Sequence, residues 1–363
     1  MPELQFIVKL IAALLIAGVI SYFATPLVKS LAYKVGAIDV PKDNRRMHKT
    51  PIPRLGGLAI FIAFLFAVII FADIDPQMQG ILLGAIMIVV LGVLDDIMTL
   101  RALPKFLVQI AAAGVVVYHG CSIQFISNPN VFSDVAYLNL GWLSTPVTII
   151  WIVAITNAVN FIDGLDGLAV GVSAISTASL LVIALMVAEM NVSIILAALL
   201  GACIGFIPYN KNPAKIFMGD TGATFLGFIL ACLSIQGLFK LYAIISFAVP
   251  FLILGIPIFD ICFAFLRRIA KGQNPMVADR GHVHHRLIDM GFNQKQAVAI
   301  SYMLTAILGL AAVLLTSSGE FRALILIGSI IIVGAIGLRI IFKRQPHEAE
   351  PEHTAEEHSD EEN

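Results

Sequence analysis

Long apolar segments alternate with short polar stretches along the whole chain. A helix needs about 20 apolar residues to span a bilayer. In one such segment, Pro250, Gly255 and Pro257 predict a bent or broken helix. Because backbone groups in lipid must be hydrogen-bonded internally, the segments are expected to be helices. We predict an all-α polytopic integral membrane protein with about eleven transmembrane helices. Their approximate bounds are 5–28, 55–74, 78–95, 103–119, 145–160, 167–188, 191–208, 221–238, 242–266, 297–316 and 321–342.

Composition supports this fold class and excludes a soluble globular domain. The 363 residues are 59% hydrophobic and only 13% charged, and the mean hydropathy is +0.92. The four cysteines are scattered and form no CxxC pair, so neither a disulfide framework nor a zinc site is predicted. The lipid bilayer is the expected environment, and no nucleic-acid partner is expected.

The basic residues predict the orientation in the membrane. Five polar segments hold 19 of the 23 Lys and Arg residues, and all five lie on one side if eleven spans are present. That side is cytoplasmic by the positive-inside rule. The N-terminus is then outside, the C-terminus is cytoplasmic, and the protein is located in the cell membrane. The five segments are 29–54, 96–105, 208–220, 267–296 and 343–344.

The chain divides into a membrane domain and a short tail. Residues 1–344 form the predicted polytopic domain, and residues 345–363 carry eight acids without any Lys or Arg. Such a segment cannot bury enough apolar surface to fold, so it is predicted to be disordered in the cytoplasm.

The most distinctive polar stretch is NAVNFIDGLDG, residues 157–167, between two apolar runs. Asn157, Asn160, Asp163 and Asp166 recur every third residue and would form one polar ridge on a helix. An acid in hydrocarbon costs about 2.5–3.5 kcal/mol on insertion scales, which indicates a functional role. The alternative is a polar loop that ends one helix and caps the next with Asp166.

Two further motifs on the predicted cytoplasmic side carry acids. Asp95 and Asp96 end the third span, and adjacent acids on a helix point to different partners, such as a proton and a cation. Asp220 in FMGDTG, residues 217–222, precedes an apolar run. It is either a helix N-cap or part of a helix N-terminus suited to phosphate.

Two basic motifs lie on the same predicted side. HKTPIPRLGG, residues 48–57, contains Lys49 and Arg54, and its prolines and glycines predict an ordered loop or a re-entrant element. GHVHHR, residues 281–286, has three histidines in four residues beside arginines. The histidines allow a transition-metal site, whereas the flanking arginines suit a polyphosphate better.

Together these residues predict phosphoryl transfer onto a lipid. Clustered carboxylates and asparagines favour a hard cation with oxygen ligands, with Mg²⁺ as the default and Mn²⁺ as an alternative. Neighbouring basic groups indicate a diphosphate substrate, whose departing charge a metal would neutralise. The apolar surroundings indicate that the second substrate is a lipid.

The five motifs, in this order, resemble those of the polyprenyl-phosphate N-acetylhexosamine-1-phosphate transferase family. The resemblance covers residues 1–344 and extends to eleven spans and a cytoplasmic active site. It implies an enzyme that transfers a sugar 1-phosphate from a UDP-sugar to undecaprenyl phosphate and releases UMP. The product would be the first lipid-linked intermediate of a cell-envelope glycan, such as teichoic acid or O-antigen.

The resemblance also implies roles for the acids at matching positions. Asp220 would be the principal Mg²⁺ ligand, with Asn160, Asp163 and Asp166 completing the nucleotide and metal pocket. Asp95 and Asp96 would lie beside it, and Asp95 would deprotonate or receive the lipid phosphate. Catalysis is thus expected to depend on Asp95, Asp96, Asp163 and Asp166.

The resemblance assigns the remaining polar residues to the substrates. Phe217 would stack on uracil near Asn210 and Lys49, with a core aromatic as the alternative, and Lys105 would contact the lipid phosphate. The residues expected to bind the nucleotide, diphosphate or sugar are Lys49, Arg54, Asn210, Phe217, His282, His284, His285 and Arg286.

Two branches of the family use different sugars. The branch that makes the muramoyl-pentapeptide lipid typically has a TMGG turn and three consecutive histidines. Here Arg54 stands in the PRLGG turn and Val283 interrupts the histidines. Both features resemble the branch that uses UDP-GlcNAc, which we therefore expect as the donor.

Alternatives of other kinds remain. An ion-coupled transporter would place carboxylates near mid-membrane, whereas these acids are predicted at span ends. The chemical route is open between direct attack by the lipid phosphate and a covalent enzyme intermediate. The sequence also leaves open whether the chain forms a homodimer.

Deleting residues 345–363 tests the predicted division of the chain. We expect the truncated protein to retain its expression level and activity, because the tail lies outside the predicted catalytic domain. Expression and turnover in isolated membranes would be measured beside the full chain. Loss of turnover at normal expression would instead show that the tail takes part in function.

Overall fold

The computed structural model of the protein describes residues 2–41, 50–127, 137–238, 245–270, 283–317, 328 and 332–333. The helices within these ranges are α1 (Pro2–Val35), α2 (Gly57–Phe71), α3 (Pro76–Met98), α4 (Ala102–Tyr118), α5 (Ser144–Phe161), α6 (Leu168–Met186), α7 (Met190–Asn210), α8 (Gly219–Leu238), α9 (Ile245–Ile253), α10 (Gly255–Ala270), α11 (Val283–Asp289) and α12 (Gln294–Ser317). The strands are β1 (Ile38–Asp39), β2 (Ile52–Pro53), β3 (Phe125–Ser127) and β4 (Tyr137–Asn139).

The helices agree with the hydrophobic pattern. The first eight predicted spans and the tenth each coincide with one helix. The ninth coincides with two consecutive helices, α9 and α10. Among the described residues, seven helices are long and apolar enough to cross a membrane, and α2 and α4 are shorter apolar helices. The protein is therefore an all-α polytopic membrane protein. The eleventh predicted span, 321–342, lies outside the described residues except for 328 and 332–333, so the span count and orientation stay predictions.

The predicted break in the ninth span lies at Leu254, between α9 and α10. Pro257 has no N–H group, so it cannot donate to the carbonyl of Ile253 one turn earlier. The hydroxyl of Ser176 on α6 donates to that carbonyl over 2.9 Å. A neighbouring helix thus satisfies the backbone group that proline leaves free, as burial in a membrane protein requires.

Helix α8 lies at the centre of the fold. In its most apolar stretch 89% of the residues are buried, compared with 17% in α1. It packs against α2, α3, α5 and α6, and Phe225 and Phe228 on it are fully buried. The N-terminal end of α8 carries Asp220, so the fold surrounds this acid with neighbouring helices.

Helices α1 and α7 pack closely through glycines. A Cβ atom at Gly201 would overlap the carbonyl oxygen of Leu14, and one at Gly205 would overlap that of Gly18. Lipid tails are as apolar as the helix surfaces, so helix pairs in membranes depend on close packing between small residues. The wide contact between α1 and α7 follows from these positions.

Among the described residues, two short antiparallel ladders lie outside the helices. In the first, Ile38 pairs with Pro53 and Asp39 with Ile52; in the second, β3 pairs with β4, with Ile126 opposite Leu138. The sequence predicted an ordered loop or re-entrant element before α2. The described part of that segment is an ordered loop, which the first ladder connects to the end of α1.

A matched pair of glycine substitutions tests the packing of α3 against α8. A Cβ atom at Gly92 on α3 would overlap the backbone of Thr221, whereas one at Gly114 on α4 would meet nothing within 4 Å. We expect Gly92→Ala to lower the free energy of unfolding by about 3 kcal/mol. Gly114→Ala should be neutral or slightly stabilising. Thermal unfolding in detergent would measure both, and equal stability of the two variants would contradict the close approach.

Candidate active site

The start of α8 is held in place by the loop that precedes α2. The N–H of Phe217 donates to the carbonyl of Pro53 over 2.8 Å, and Gly56 and Gly57 donate to the carbonyls of Phe217 and Met218 over 2.9 and 2.8 Å. A Cβ atom at Gly57 would overlap the backbone nitrogen of Gly222. The PRLGG and FMGDTG motifs therefore lie directly against each other.

Asp96 caps α8 from the neighbouring helix α3. Its Oδ1 accepts a hydrogen bond from the N–H of Asp220 over 3.0 Å. Its Oδ2 accepts from the N–H and the hydroxyl of Thr221 over 3.0 and 2.6 Å. The carboxylate is buried and satisfies backbone donors that a helix N-terminus leaves free. It therefore fixes the position of Asp220.

Gly219 makes this cap possible. Its φ angle is +72°, a region that other residues rarely adopt, and a Cβ atom there would meet both carboxylate oxygens of Asp96. Arg54 lies against the C-terminal end of α3, the helix that carries Asp96. Its Nε donates to the backbone carbonyl of Asp96 over 3.1 Å, and its Nη2 donates to the Thr99 hydroxyl over 3.3 Å. A cation at a helix C-terminus is favourable because the helix dipole is negative there.

Lys105 on α4 joins the remaining acids. Its ammonium contacts Oδ2 of Asp95 at 2.7 Å and Oδ2 of Asp220 at 2.8 Å. The other oxygen of Asp95 accepts from the N–H of Leu100 over 2.6 Å. One cation thus bridges carboxylates from α3 and α8. The predicted contact of Lys105 with the lipid phosphate stays a prediction.

The NAVNFIDGLDG motif brings α5 to the same place. Asn160, near the end of α5, interacts electrostatically with the carboxylate of Asp220. Asp163 follows in the loop 162–167 between α5 and α6 and is half-buried. Burial, together with the charges of Asp220, Asp96 and Asp166, raises the pKa of Asp163 to about 8. Its carboxyl group therefore binds a proton near neutral pH more readily than an exposed aspartate does.

Asp166 has a different environment from Asp163. Its Oδ2 accepts from the side-chain amide of Asn212 over 2.9 Å and from the N–H of Ala214 over 3.0 Å. In the same connection between α7 and α8, the buried amide of Asn210 donates to the carbonyl of Ile216 over 3.0 Å. Both side chains hold this loop in shape. Asp166 is predicted to be catalytic and Asn210 to bind the nucleotide, and nothing in the described geometry tests these roles.

The histidine motif approaches from α11. His284 is buried, and a Cβ atom at Gly164 would overlap its Nε2 atom, so the imidazole lies against the acidic loop. The ring of His285 is 4.3 Å from that of His284. The guanidinium of Arg286 lies 5.1 Å from the centre of the Phe263 ring. Asp260 on α10 accepts from the N–H of Val283 over 2.6 Å and so anchors the start of α11.

The structure does not place every predicted residue. Lys49 and His282 lie outside the described residues. Phe217 is half-buried beside the start of α8, a position compatible with either of its predicted roles. The residues that the structure brings together at one end of the helices are Arg54, Asp95, Asp96, Lys105, Asn160, Asp163 and Asp220.

Comparison with known proteins gives this arrangement a family. The sequence model of glycosyl transferase family 4 matches residues 78–238. A probable undecaprenyl-phosphate N-acetylglucosaminyl 1-phosphate transferase of Bacillus subtilis (strain 168) is 39% identical, and the match covers 90% of each chain. The chain belongs to glycosyl transferase family 4.

Other relatives in this family extend the match to distant bacteria. The decaprenyl-phosphate N-acetylglucosaminephosphotransferase of Mycobacterium tuberculosis (strain H37Rv) is 32% identical over 91% of this chain and 88% of its own. The undecaprenyl-phosphate alpha-N-acetylglucosaminyl 1-phosphate transferase of Escherichia coli (strain K12) is 29% identical over 84% of this chain and 82% of its own. The resemblance deduced from the five motifs is thus confirmed.

The region matched by glycosyl transferase family 4 contains three of the five motifs: LDD, NAVNFIDGLDG and FMGDTG. The other two connect to it by contact. Arg54 and its neighbours bind the start of α8, and His284 packs on Gly164. The fold therefore brings segments from both sides of the matched region against these three motifs.

The donor atoms at this site suit a hard cation. Carboxylates outnumber cations among the residues that meet there, and the oxygens of Asp95 and Asp220 already hold the Lys105 ammonium. In the part of the chain that the structure describes, no group of three or more His, Cys, Asp and Glu residues is arranged as a metal site. Mg²⁺ is usually bound by one or two carboxylates together with substrate phosphates, and its binding here stays a prediction.

Several contributing residues were not found by sequence reasoning. Thr221 follows Asp220 in a recognised motif, so its role in the cap could have been deduced from the N-cap pattern. Asp260 was visible only as an acid inside an apolar span, which is itself a signal of function. Asn212 and Tyr302 carried no such signal, because their contacts join segments distant in sequence.

Alanine substitutions of Asp96 and Asp220 should differ in their effect on the free energy of unfolding. Asp96→Ala leaves two backbone N–H groups and the Thr221 hydroxyl without their acceptor, so the free energy of unfolding should fall by about 2 kcal/mol. Asp220→Ala removes a partly exposed carboxylate whose partner Lys105 keeps Asp95, so the free energy of unfolding should fall by less than about 1 kcal/mol. Thermal unfolding in detergent compares them. A destabilised Asp220→Ala with a stable Asp96→Ala would contradict the assignment of the cap.

Proposed function

We propose that the protein transfers N-acetylglucosamine 1-phosphate from UDP-GlcNAc to undecaprenyl phosphate and releases UMP. The observation that carries this proposal is the cluster of Asp95, Lys105 and Asp220 at the ends of membrane helices. The names of three relatives support both the sugar phosphate and the polyprenyl acceptor. The product is the first lipid-linked intermediate of a cell-envelope glycan.

The reaction forms one phosphorus–oxygen bond and breaks another. An oxygen of the lipid phosphate attacks the phosphorus that carries the sugar, and the bond from that phosphorus to the UMP oxygen breaks. In the direct route Asp95 receives the proton of the lipid phosphate, if it is protonated, and Lys105 holds the phosphate by charge. In the covalent alternative, a carboxylate oxygen of Asp95 attacks the phosphorus that carries the sugar and UMP leaves. The lipid phosphate then attacks the same phosphorus and displaces Asp95.

The metal proposed for this site is Mg²⁺, with Mn²⁺ as an alternative. Asp220 and Asn160 would hold it, because their side chains interact at the start of α8 and the Asp96 cap fixes that end of the helix. When bound, the metal would neutralise charge on the diphosphate. Asp163 faces the same cluster and provides a carboxyl group for proton transfer.

The substrates are proposed to approach from the cytoplasmic side. The basic residues of the chain are concentrated on the predicted cytoplasmic segments, and the described motifs meet at one end of the helices. UDP-GlcNAc would enter from water beside Arg54, and the lipid phosphate from the membrane beside Lys105. Arg286 and the remaining histidines are proposed to face the donor.

A donor comparison tests the proposal. Purified protein in detergent would receive undecaprenyl phosphate and Mg²⁺ with either UDP-GlcNAc or UDP-MurNAc-pentapeptide, and UMP and the lipid product would be measured. We expect turnover with UDP-GlcNAc alone. EDTA should abolish it, and added Mg²⁺ or Mn²⁺ should restore it.

Asp220→Asn provides the matched variant, since it keeps the size of the side chain and removes its charge. We expect at least a 100-fold lower kcat at normal expression. Turnover with UDP-MurNAc-pentapeptide alone would replace the proposed sugar. If folded protein turns over neither donor, the proposed sugar-phosphate transfer is contradicted, and the alternative of an ion-coupled transporter is favoured.

A further inference from the structure

Helix α12 contacts the acidic loop without contributing a charge to the site. The hydroxyl of Tyr302 donates to the carbonyl of Gly167 over 2.5 Å. This carbonyl ends the loop 162–167 that carries Asp163 and Asp166, and it also accepts from the N–H of Gly171 over 3.0 Å. Tyr302 thus holds the point at which the loop becomes helix α6.

The Tyr302 side chain occupies a slot formed by glycines. A Cβ atom at Gly171 would overlap the Tyr302 hydroxyl and ring, and one at Gly167 would lie 3.4 Å from the hydroxyl. Gly167 itself has a φ angle of +80°, so this turn depends on glycine. The shape of α6 therefore admits an aromatic ring here and directs its hydroxyl to the loop.

A second contact joins α12 to the same loop. The side-chain amide of Asn212 donates to Oε1 of Gln294, the first residue of α12, over 2.7 Å. It also donates to Oδ2 of Asp166 over 2.9 Å. The loop is therefore held at Asp166 and Gly167, while His284 packs on Gly164. Asp163 directly precedes Gly164 in this loop, and it interacts electrostatically with Asp96 and Asp220.

We propose that Tyr302 is a positioning residue for the proposed transfer, which fixes the loop that carries Asp163. It does not touch the reacting atoms; its hydroxyl acts through the backbone of Gly167. The inference rests on the proposed function, because the position of Asp163 matters only if the cluster binds and processes the substrates. A displacement of about 1 Å in a catalytic group is enough to lower a rate substantially.

Tyr302→Phe tests this role because it removes one oxygen atom and keeps the ring in its slot. We expect kcat for UMP release to fall about tenfold, with KM for both substrates within twofold of the wild type. Hydrogen–deuterium exchange should become faster in the peptide that covers residues 162–167. The two measurements separate an effect on the loop from a general loss of folded protein.

Thr305→Val is the matched control. Thr305 is buried one turn further along α12, and its hydroxyl donates to the carbonyl of Ser301 within the same helix over 2.7 Å. This variant also loses one hydroxyl hydrogen bond, so its thermal stability should resemble that of Tyr302→Phe. Its kcat and its exchange at residues 162–167 should equal those of the wild type.

Three results would overturn the inference: wild-type kcat in Tyr302→Phe, unchanged exchange in the loop, or an equal fall of kcat in Thr305→Val. If the wild-type protein itself releases no UMP, the proposed function fails. Exchange then decides the structural part of the inference alone. Faster exchange confined to the loop in Tyr302→Phe supports it, and unchanged exchange rejects it.

Discussion

The site depends on one buried carboxylate that caps a helix from outside. Asp96 accepts three hydrogen bonds from Asp220 and Thr221, and burying a charge without such partners would be costly. The cap joins α3 to α8 at the membrane end where the acids meet. Because α8 is the most buried of the membrane helices described here, fixing its end also fixes the position of Asp220 relative to its neighbours.

The acids of the site have two kinds of partner. Asp96 and Asp166 bind backbone N–H groups of other segments and thereby shape the site. Asp95 and Asp220 share a side-chain cation, Lys105, whose position is compatible with exchange for substrate charges. A loss of activity after mutation of one of these acids could come from either role, so activity alone cannot separate the two. Stability measurements can, because a cap contributes in the absence of substrate.

Surrounding elements hold the acidic loop from several directions. Asn212 holds Asp166, Tyr302 holds Gly167, and His284 lies against Gly164. These residues come from the loop before α8, from α12 and from α11, none of which supplies Asp163. A loop made of glycines and acids has little intrinsic order. Its fixed geometry therefore comes from tertiary contacts, a general requirement for catalytic groups carried on loops.

The sequence by itself determined the helices, the acidic motifs and the family. Apolar segments must become helices in lipid because no water is present to satisfy their backbone groups, and acids at helix ends are costly enough to indicate a function. Only the tertiary structure decided three roles. Asp96 caps α8, Asp166 shapes the connection between α7 and α8, and Tyr302 holds the loop 162–167. These roles depend on which donor lies opposite each oxygen, and that partner comes from residues 48 to 135 positions away in the chain. Periodicity and composition report on near neighbours along the sequence and carry no information about such distant pairs.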